Sequence, residues 1–483
     1  MKATALWLIF ALMITSITSA QTDVALARRL HDAHDSYKEK ALTFRRFKHR
    51  DIVPLLTRLS PPLSVTPVGT SFEKRAIYQV KAGNGPATVL FWSQMHGDEA
   101  TATMALFDIF NFLQAHNDSF DDLRQRILTN TTLYFVPMLN PDGAERWQRR
   151  TALDLDMNRD ALRLQCPESR LLKSLQQTLK PLVGFNLHDQ SPRYGVGNTG
   201  KQATLSFLAT AFDVARSQNP VRKRSMQLIA GMNRVLQPFI PGQIGRYDDE
   251  FEPRAFGDNI QKWGTTLILI ESGGYADDPE KQYIRKLNFV AMLSALDAIA
   301  TGSYEQENTA DYAAIPENGR ALFDVLIRNV QTMHNGQPVT LDLGINRYEV
   351  SMNGATDFYY RSQIDDLGDL STFHGLQEID ATGLTLNPAK LYADTLNTVA
   401  DLQKLDLATL QKQGTVTFRV RQGKRGPVPN ASVHLLREGV LPASPLRLGQ
   451  VPTFSLRQDN EIQQMWINGF LLNPGQNQTG IVE

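Results

Sequence analysis

Four short, almost continuous apolar segments constrain the fold of this 483-residue chain more than any other feature. They are ATVLFWSQ (87–94), TLYFVPML (132–139), PLVGFNLH (181–188) and TTLILIES (265–272). Such runs are typical of strands that are buried on both faces. Helical patterns lie between them at 99–115, 168–180 and 222–237, and another follows at 286–300. Strands alternating with helices predict an α/β domain with a mostly parallel or mixed central sheet flanked by helices.

The sequence on either side of this region has a different character. The first twenty residues have a positive Lys2, an apolar core and a small-residue ending, which is the pattern of a signal peptide. We expect an N-terminal helical segment over 21–60 and the α/β domain over 61–308. A β-rich C-terminal region is predicted over 309–483, as one region or two small modules, with a helical insert near 388–411.

The predicted signal peptide implies an exported protein, periplasmic or secreted, with no stable membrane insertion after cleavage. An uncleaved anchor is the alternative, although the apolar run is short for a span of about 20 residues. Fifty basic and fifty acidic side chains give zero net charge, so no nucleic-acid partner is expected. Cys166 is the only cysteine and cannot form an intramolecular disulfide. The sequence does not indicate an oligomeric state.

Polar residues that could carry chemistry follow each of the four apolar runs. His96 and Glu99 follow the first, the turn at 140–143 follows the second, His188 ends the third and Glu271 lies near the end of the fourth. In open α/β sheets, ligands bind in the crevice outside the carboxyl ends of the strands. The pattern therefore predicts that these side chains meet in one crevice.

The residue types in this predicted crevice suit a catalytic zinc ion. Such a site takes three protein ligands and keeps an open position, and His96, Glu99 and His188 supply the three. Glu271 is the candidate to take a proton from a zinc-activated water molecule, because a charge after an apolar run needs a role or a partner. Asp156 could accept a hydrogen bond from a ligating imidazole. Without its companions, the His-x-x-Glu spacing occurs often by chance.

Five motifs in this chain resemble those of the zinc carboxypeptidases of the carboxypeptidase A type. They are HGDE (96–99), NPDG (140–143), DMNRD (156–160), FNLH (185–188) and LIESGG (269–274), in the order found in that family. The resemblance covers roughly residues 60–303. It implies a zinc carboxypeptidase-like catalytic domain that binds one Zn²⁺ per chain.

The resemblance also implies a role for each matching residue. His96, Glu99 and His188 match the zinc ligands, and Glu271 matches the glutamate that acts as general base and then general acid. Asn158 and Arg159 match the pair that grips the free C-terminal carboxylate of a peptide, and Asp156 matches the acid beside the first histidine. Arg149 best matches the arginine that stabilises the oxyanion, with its neighbour Arg150 as the alternative. Tyr247 lies near the position of the substrate-capping tyrosine.

The chain departs from the family pattern around the expected substrate pocket. Asp189 and Gln190 follow His188 where the digestive members have Ser-Tyr, and the segment RYDDEFEPRAFGD (246–258) is rich in charge. An ungapped alignment would place Phe256 near the pocket floor, which would favour an apolar or aromatic terminal residue.

The predicted function is that of an exported zinc metallocarboxypeptidase acting on peptides with a free C-terminal carboxylate. One alternative is a zinc deacylase or amidase that acts on N-acyl amino acids or cell-wall peptides. Another is a non-catalytic, peptidase-like binding protein whose β-rich half is the working part. The presence of Glu271 disfavours this last alternative, because a binding protein has no chemical need for it.

Overall fold

The computed structural model describes residues 23–334, 336–429, 431–440, 446–472 and 480–483. The chain divides into two compact units, of which the first ends at Arg320 and the second begins at Ala321. The predicted signal peptide, residues 1–20, lies outside the described residues. In the part of the chain that the structure describes, no helix has both the length and the apolar character needed to cross a membrane.

The first unit combines helices with a mixed sheet. Its helices are α1 (23–37), α2 (His49–Thr57), α3 (Thr101–Gln114), α4 (Asp121–Asn130), α5 (Pro141–Arg146), α6 (Pro167–Leu179), α7 (Pro220–Leu236), α8 (Phe256–Lys262), α9 (Gln282–Thr301) and α10 (Thr309–Ala313). Short 3-10 helices cover Met157–Arg159 and Ser303–Gln306. Its strands are β1 (Ser64–Thr70), β2 (Ala76–Ala82), β3 (Ala87–Trp92), β4 (Thr131–Val136), β5 (Val183–Asp189), β6 (Gly195–Val196), β7 (Leu205–Leu208), β8 (Ile244–Arg246), β9 (Thr266–Ser272) and β10 (Asn318–Gly319).

The predicted fold class is confirmed. Eight strands form one sheet in the order β1-β2-β4-β3-β5-β9-β7-β8. The four central strands, β4, β3, β5 and β9, are parallel, and antiparallel pairs flank them on both sides. These four central strands correspond to the four apolar runs of the sequence, so their polar ends lie at one edge of the sheet.

The sheet buries both of its faces, as the continuous apolar runs predict. Successive side chains of a strand point to opposite faces, so Val89 and Phe91 join one core cluster while Leu90 and Trp92 join another. On the first face, the Phe91 ring stacks on that of Phe185 with a centroid distance of 4.4 Å. Helices α3, α7 and α9 contribute buried residues to the first cluster, whereas α6 and α8 contribute to the second.

A buried ionic cluster attaches the N-terminal segment to this core. Asp108 of α3 accepts hydrogen bonds from His34 Nε2 (2.9 Å), from the backbone N–H of Glu39 (2.7 Å) and from Arg285 Nε of α9 (2.7 Å). His34, Asp108 and Arg285 are each no more than 1% exposed. The carboxylate therefore holds three separate parts of the chain together.

The first unit extends beyond residue 308, where the sequence analysis placed the domain boundary, and ends at Arg320. The tail of the unit packs on it through α10 and β10. The Tyr312 hydroxyl accepts a hydrogen bond from the Ala209 N–H (3.1 Å), and Asn318 Nδ2 donates to Gln190 Oε1 (2.7 Å).

The second unit is β-rich and contains two sheets with separate buried clusters. Its strands are β11 (Leu322–His334), β12 (Gln337–Met352), β13 (Asp357–Gly368), β14 (His374–Asp380), β15 (Thr385–Pro388), β16 (Lys390–Thr398), β17 (Thr415–Gln422), β18 (Gly426–Val428), β19 (His434–Arg437), β20 (Phe454–Gln458), β21 (Glu461–Ile467), β22 (Phe470–Leu471) and β23 (Gly480–Val482). Helix α11 covers Leu407–Lys412, and 3-10 helices cover Asn353–Ala355 and Val399–Lys404. Strands β16, β17, β19, β23 and β18 form the smaller sheet.

The predicted helical insert near 388–411 is wrong over its first half, where the chain forms β16. This strand pairs in parallel with β17, and the ring of Tyr392 lies 5.3 Å from that of Phe418. Tyr392 and Leu396 are four residues apart, a spacing that places them on one face of a helix or of a strand. Pairing with β17 and packing on Phe418 select the strand.

The ionic cluster around Asp108 generates a stability prediction. Asp108→Ala leaves the Arg285 guanidinium buried without its carboxylate, so we expect the first unit to lose about 3–5 kcal/mol of unfolding free energy. Urea denaturation of the purified protein measures this loss. Arg126→Ala, which breaks the partly exposed pair with Asp297, is the control and should cost only about 0–1 kcal/mol. Equal effects of the two substitutions would show that the buried cluster does not attach the N-terminal segment as described.

Candidate metal centre and substrate cavity

Strand register brings two predicted site residues side by side. In the parallel pair β5–β9, His188 lies opposite Glu271, and Ser206 of β7 lies opposite Glu271 on its other side. Asn186 and Leu269 form the next row on the same face, because side chains that point to one face recur every second residue. The face that carries these two rows is the one covered by α6 and α8.

The turn after β3 positions His96 and Glu99. Gly97 packs closely on the backbone of α5. A Cβ atom on Gly97 would lie 2.0 Å from the carbonyl carbon of Gly143. Asn140 Oδ1 accepts from the Gly143 N–H (2.9 Å), and Asn140 Nδ2 donates to the Met95 carbonyl (3.2 Å). The NPDG motif forms the start of α5, with Asn140 as its N-cap, and its contacts support the turn that carries His96 and Glu99.

The three predicted metal ligands converge. One ligand atom from each of His96, Glu99 and His188 lies within 4.8 Å of the other two, and all three side chains are buried. His96 Nδ1 is 2.8 Å from Glu99 Oε1, His188 Nδ1 is 2.6 Å from Glu99 Oε2, and the two Nδ1 atoms are 3.1 Å apart. Two imidazoles and a carboxylate form a ligand set that catalytic zinc sites use.

The hydrogen bonds of His96 support a cation at this point. Its Nε2 donates to Asp156 Oδ1 (3.1 Å), so the proton of a neutral ring sits on Nε2 and Nδ1 presents a lone pair. That lone pair faces the Glu99 carboxylate and the second imidazole, an arrangement that a bound cation stabilises. A ligating histidine commonly donates its other N–H to a carboxylate in this way. The residues therefore fit a zinc ion.

The electrostatics of the cluster favour positive charge at His96 and a neutral ring at His188. Burial alone would lower the pKa of His96, but Glu99 and Asp156 outweigh it and raise this pKa to about 9. Burial would raise the pKa of Glu99, yet the two imidazoles hold it well below its usual range. Burial lowers the pKa of His188 in spite of Glu99.

The structure distinguishes the two candidate arginines. Arg149 Nη1 lies 3.1 Å from His96 Nδ1 and 3.2 Å from Glu99 Oε1, and its Nε donates to Asp156 Oδ2 (3.1 Å). Arg150 instead donates to the Asp154 carbonyl (2.7 Å) and does not line the cavity. The position of Arg149 beside the ligand cluster favours it over Arg150 for contact with substrate.

Asn158 and Arg159 lie at the end of the 3-10 helix that Asp156 caps. The Asp156 Oδ1 that accepts from His96 also accepts from the Asn158 N–H (2.9 Å). Asn158 Oδ1 accepts from the Phe256 N–H (2.9 Å), which leaves Nδ2 as the remaining donor of the amide. The Arg159 side chain is 40% exposed and forms an ion pair with Glu252 (3.3 Å). A guanidinium and an amide N–H are suited to binding a carboxylate.

A single cavity of about 550 Å³ collects most of the predicted site residues. Eight of them line it: His96, Glu99, Arg149, Asn158, Arg159, His188, Tyr247 and Glu271. Glu271 is buried, and burial together with the nearby Glu99 carboxylate raises its pKa well above the usual range. Burial and the Glu271 carboxylate likewise raise the pKa of Tyr247, whose ring lies edge-on to Tyr194.

A charged network that the sequence did not predict lies beside the third ligand, His188. Asp189 Oδ2 accepts from Thr101 Oγ1 (2.6 Å) and from Lys281 Nζ (3.1 Å), and Lys281 Nζ also donates to the Ser272 carbonyl (3.0 Å). These bonds connect the ends of β5 and β9 next to His188 and Glu271. The lysine precedes a helix far along the chain, so no local pattern indicated its place.

Part of the first unit matches the model of a known protein family. Residues 54–178 match the family model described as zinc carboxypeptidase. This range contains His96, Glu99, Asn158 and Arg159, whereas His188 and Glu271 lie beyond it. The place of those two residues in the site follows from the sheet register.

Curated relatives match over short segments. The Arabidopsis thaliana protein named Carboxypeptidase SOL1 is 30% identical over 104 residues, which are 20% of this chain and 21% of the relative. Probable carboxypeptidase 2 from Trichophyton verrucosum is 26% identical over 146 residues, 29% of this chain and 27% of the relative. The chain thus spans about a fifth to a quarter of the length of these relatives.

Two bacterial proteins are among the solved structures that align with this chain. A metallo-carboxypeptidase from Burkholderia cenocepacia has a TM-score of 0.43 at 16% identity, over 53% of this chain and 69% of that one. A metallo-carboxypeptidase from Pseudomonas aeruginosa was solved in complex with (2-guanidinoethylmercapto)succinic acid. It has a TM-score of 0.41 at 16% identity, over 53% of this chain and 70% of that one. Neither value assigns a function to this chain.

The ligand cluster predicts zinc binding that depends on His188. We expect the purified protein to retain zinc through dialysis and His188→Ala to bind it at least roughly 100-fold more weakly, since even outer partners of zinc ligands change affinity by about 10–100-fold. Metal analysis and competition with a chelator measure the affinity. His116→Ala, at an exposed histidine, is the control. Undiminished zinc affinity in His188→Ala would exclude this cluster as the metal site.

Proposed function

We propose that this chain, whose residues 54–178 match the zinc carboxypeptidase family model, is an exported metallocarboxypeptidase that removes the C-terminal residue of peptides. The observation that carries the proposal is the convergence of the three candidate ligands, Glu271 and Arg159 on one cavity. Export rests on the signal-like segment at residues 1–20.

In this proposal Arg159 and Asn158 bind the free C-terminal carboxylate of the substrate. The guanidinium offers paired N–H donors to a carboxylate, and Asn158 Nδ2 adds a further donor beside it. Glu252, which pairs with Arg159, is itself held by Arg254 Nη2 at 2.6 Å. The substrate carboxylate competes with Glu252 for Arg159, and the second arginine keeps Glu252 neutralised when Arg159 turns to the substrate.

The peptide bond next to this terminal residue then lies between Glu271 and Arg149. One Zn²⁺ per chain, held by His96, Glu99 and His188, would polarise the scissile carbonyl and lower the pKa of a water molecule to about 7. Glu271 takes a proton from the attacking water and passes it to the leaving amine, for which its raised pKa is suited. Arg149 donates to the oxyanion that develops on the carbonyl oxygen.

The direct test of this function compares peptides with N-acyl amino acids. Both classes end in a free carboxylate, so Arg159 can bind either, and the group on the other side of the amide distinguishes them. We expect the zinc-loaded protein to release the terminal residue from N-blocked dipeptides and to act poorly on a library of N-acyl amino acids. The reverse preference would make the protein a deacylase, and zinc binding without hydrolysis of either class would favour a binding function.

Replacement of Glu271 separates metal binding from turnover. Glu271→Gln keeps the size of the side chain but cannot take the proton, so we expect zinc content to stay unchanged. Turnover of a blocked dipeptide should fall by about 100- to 10,000-fold. Glu305→Gln, at an exposed glutamate of the same unit, is the matched control. Turnover retained in Glu271→Gln would exclude this residue as the general base.

A further inference from the structure

Asn186 is a buried polar residue in the wall of the cavity. It is fully buried on β5, yet among the described residues neither its amide nitrogen nor its amide oxygen has a hydrogen-bond partner. Exchanging the two amide atoms would leave the same deficit. A buried amide without partners is costly, and the side chain lines the cavity. A ligand that enters the cavity can therefore supply the missing partners.

The sheet register places Asn186 one row deeper than the proposed catalytic residues. Asn186, Leu269 and Leu208 lie side by side on three adjacent strands, two residues from the row that contains His188 and Glu271. Arg159 lines the same cavity as this row, so a terminal residue whose carboxylate Arg159 binds can extend its side chain towards Asn186. Its two leucines give the wall an apolar surface around a polar centre.

Helix α8 lies beside Asn186 and adds an acid to the lining of the cavity. Gly257 has no side chain, and a Cβ atom there would lie 3.3 Å from Thr210 Cγ2 and 3.7 Å from Asn186 Nδ2. Asp258 is 8% exposed and lines the same cavity, and its Oδ1 accepts from the Glu252 N–H (3.1 Å). Burial and the nearby Glu252 raise the pKa of Asp258 to about 7. A donor or cation placed against this carboxylate stabilises its charged form.

We propose that Asn186 and Asp258 select C-terminal residues whose side chain ends in N–H donors, as glutamine, lysine and arginine do. This inference rests on the proposed carboxypeptidase function. An N–H group of the terminal side chain can donate to Asn186 Oδ1 or to the Asp258 carboxylate, since both residues line the cavity. A glutamate side chain is repelled by Asp258, and a methionine side chain leaves the Asn186 amide without a partner.

The same geometry corrects the expectation for Phe256. An ungapped alignment would have placed this ring near the pocket floor and favoured apolar terminal residues. In the structure Phe256 is fully buried in the core cluster that includes Trp92 and Leu267, and it does not line the cavity. The neighbouring Gly257 and Asp258 are the residues of α8 that line the cavity.

The test uses four N-blocked dipeptides that share their first residue and end in glutamine, glutamate, methionine or lysine. The first three side chains have similar length, so hydrogen bonding and charge are what differ among them. We expect the zinc-loaded full chain to have a kcat/KM for the glutamine and lysine peptides at least roughly tenfold above that for methionine or glutamate. A methionine preference in the active wild-type protein would overturn the inference and leave the proposed function intact.

Two substitutions then test the individual residues. Asn186→Leu should reduce the glutamine-to-methionine ratio of kcat/KM by roughly tenfold, whereas Asn233→Leu on α7, outside the cavity, should leave the ratio unchanged. Asp258→Asn should lower the lysine-to-glutamine ratio and relieve the penalty against glutamate, because it removes a negative charge. Melting temperatures show which variants fold. If Asn186→Leu does not fold, Asp258→Asn alone tests the inference.

The outcomes separate this inference from the proposed function. Unchanged ratios in folded Asn186→Leu and Asp258→Asn proteins would overturn the specificity inference alone. Absence of release from all four dipeptides in the presence of zinc would instead overturn the carboxypeptidase function on which the inference rests.

Discussion

The parallel pairing of β5 with β9 is the constraint on which the rest of the site depends. It sets His188 beside Glu271 and Asn186 beside Leu269, so one register fixes both the metal end of the cavity and its deeper wall. Because strand side chains alternate with a period of two, a shift of β5 by one residue would turn Asn186 and His188 away from Leu269 and Glu271, toward the opposite face. The buried apolar neighbours on both faces of these strands exclude such a shift.

Asp156 connects the two functional ends of the cavity. The same carboxylate oxygen accepts from His96 Nε2 and from the Asn158 N–H, and the other oxygen accepts from Arg149. The orientation of a candidate zinc ligand is thus coupled to the residues proposed to bind the substrate carboxylate. Burial would raise the pKa of Asp156, but His96 and Arg149 keep it well below its usual range, so the group stays an acceptor for all three.

The sequence was sufficient to predict the central sheet and the convergence of His96, Glu99 and His188, because short continuous apolar runs indicate buried strands whose polar ends then meet at one edge. The sequence could not decide between Arg149 and Arg150, since the direction in which each of two adjacent side chains points depends on the loop conformation. The predicted helical insert near 388–411 is a strand over residues 390–398, because pairing with β17 decides between the two elements there. Asn186 was visible as a polar residue inside an apolar strand, but its significance depends on α8, about seventy positions later.

The central claim is that a metal held by His96, Glu99 and His188 and the carboxylate of Glu271 act together on the C-terminal peptide bond. Hydrolysis of an N-blocked dipeptide by chelator-treated protein, before and after zinc is added back, tests it most directly. The account predicts no release of the terminal amino acid after chelation and recovery of release with zinc. Release that continues without metal, or that zinc fails to restore in a protein that remains folded, would contradict it.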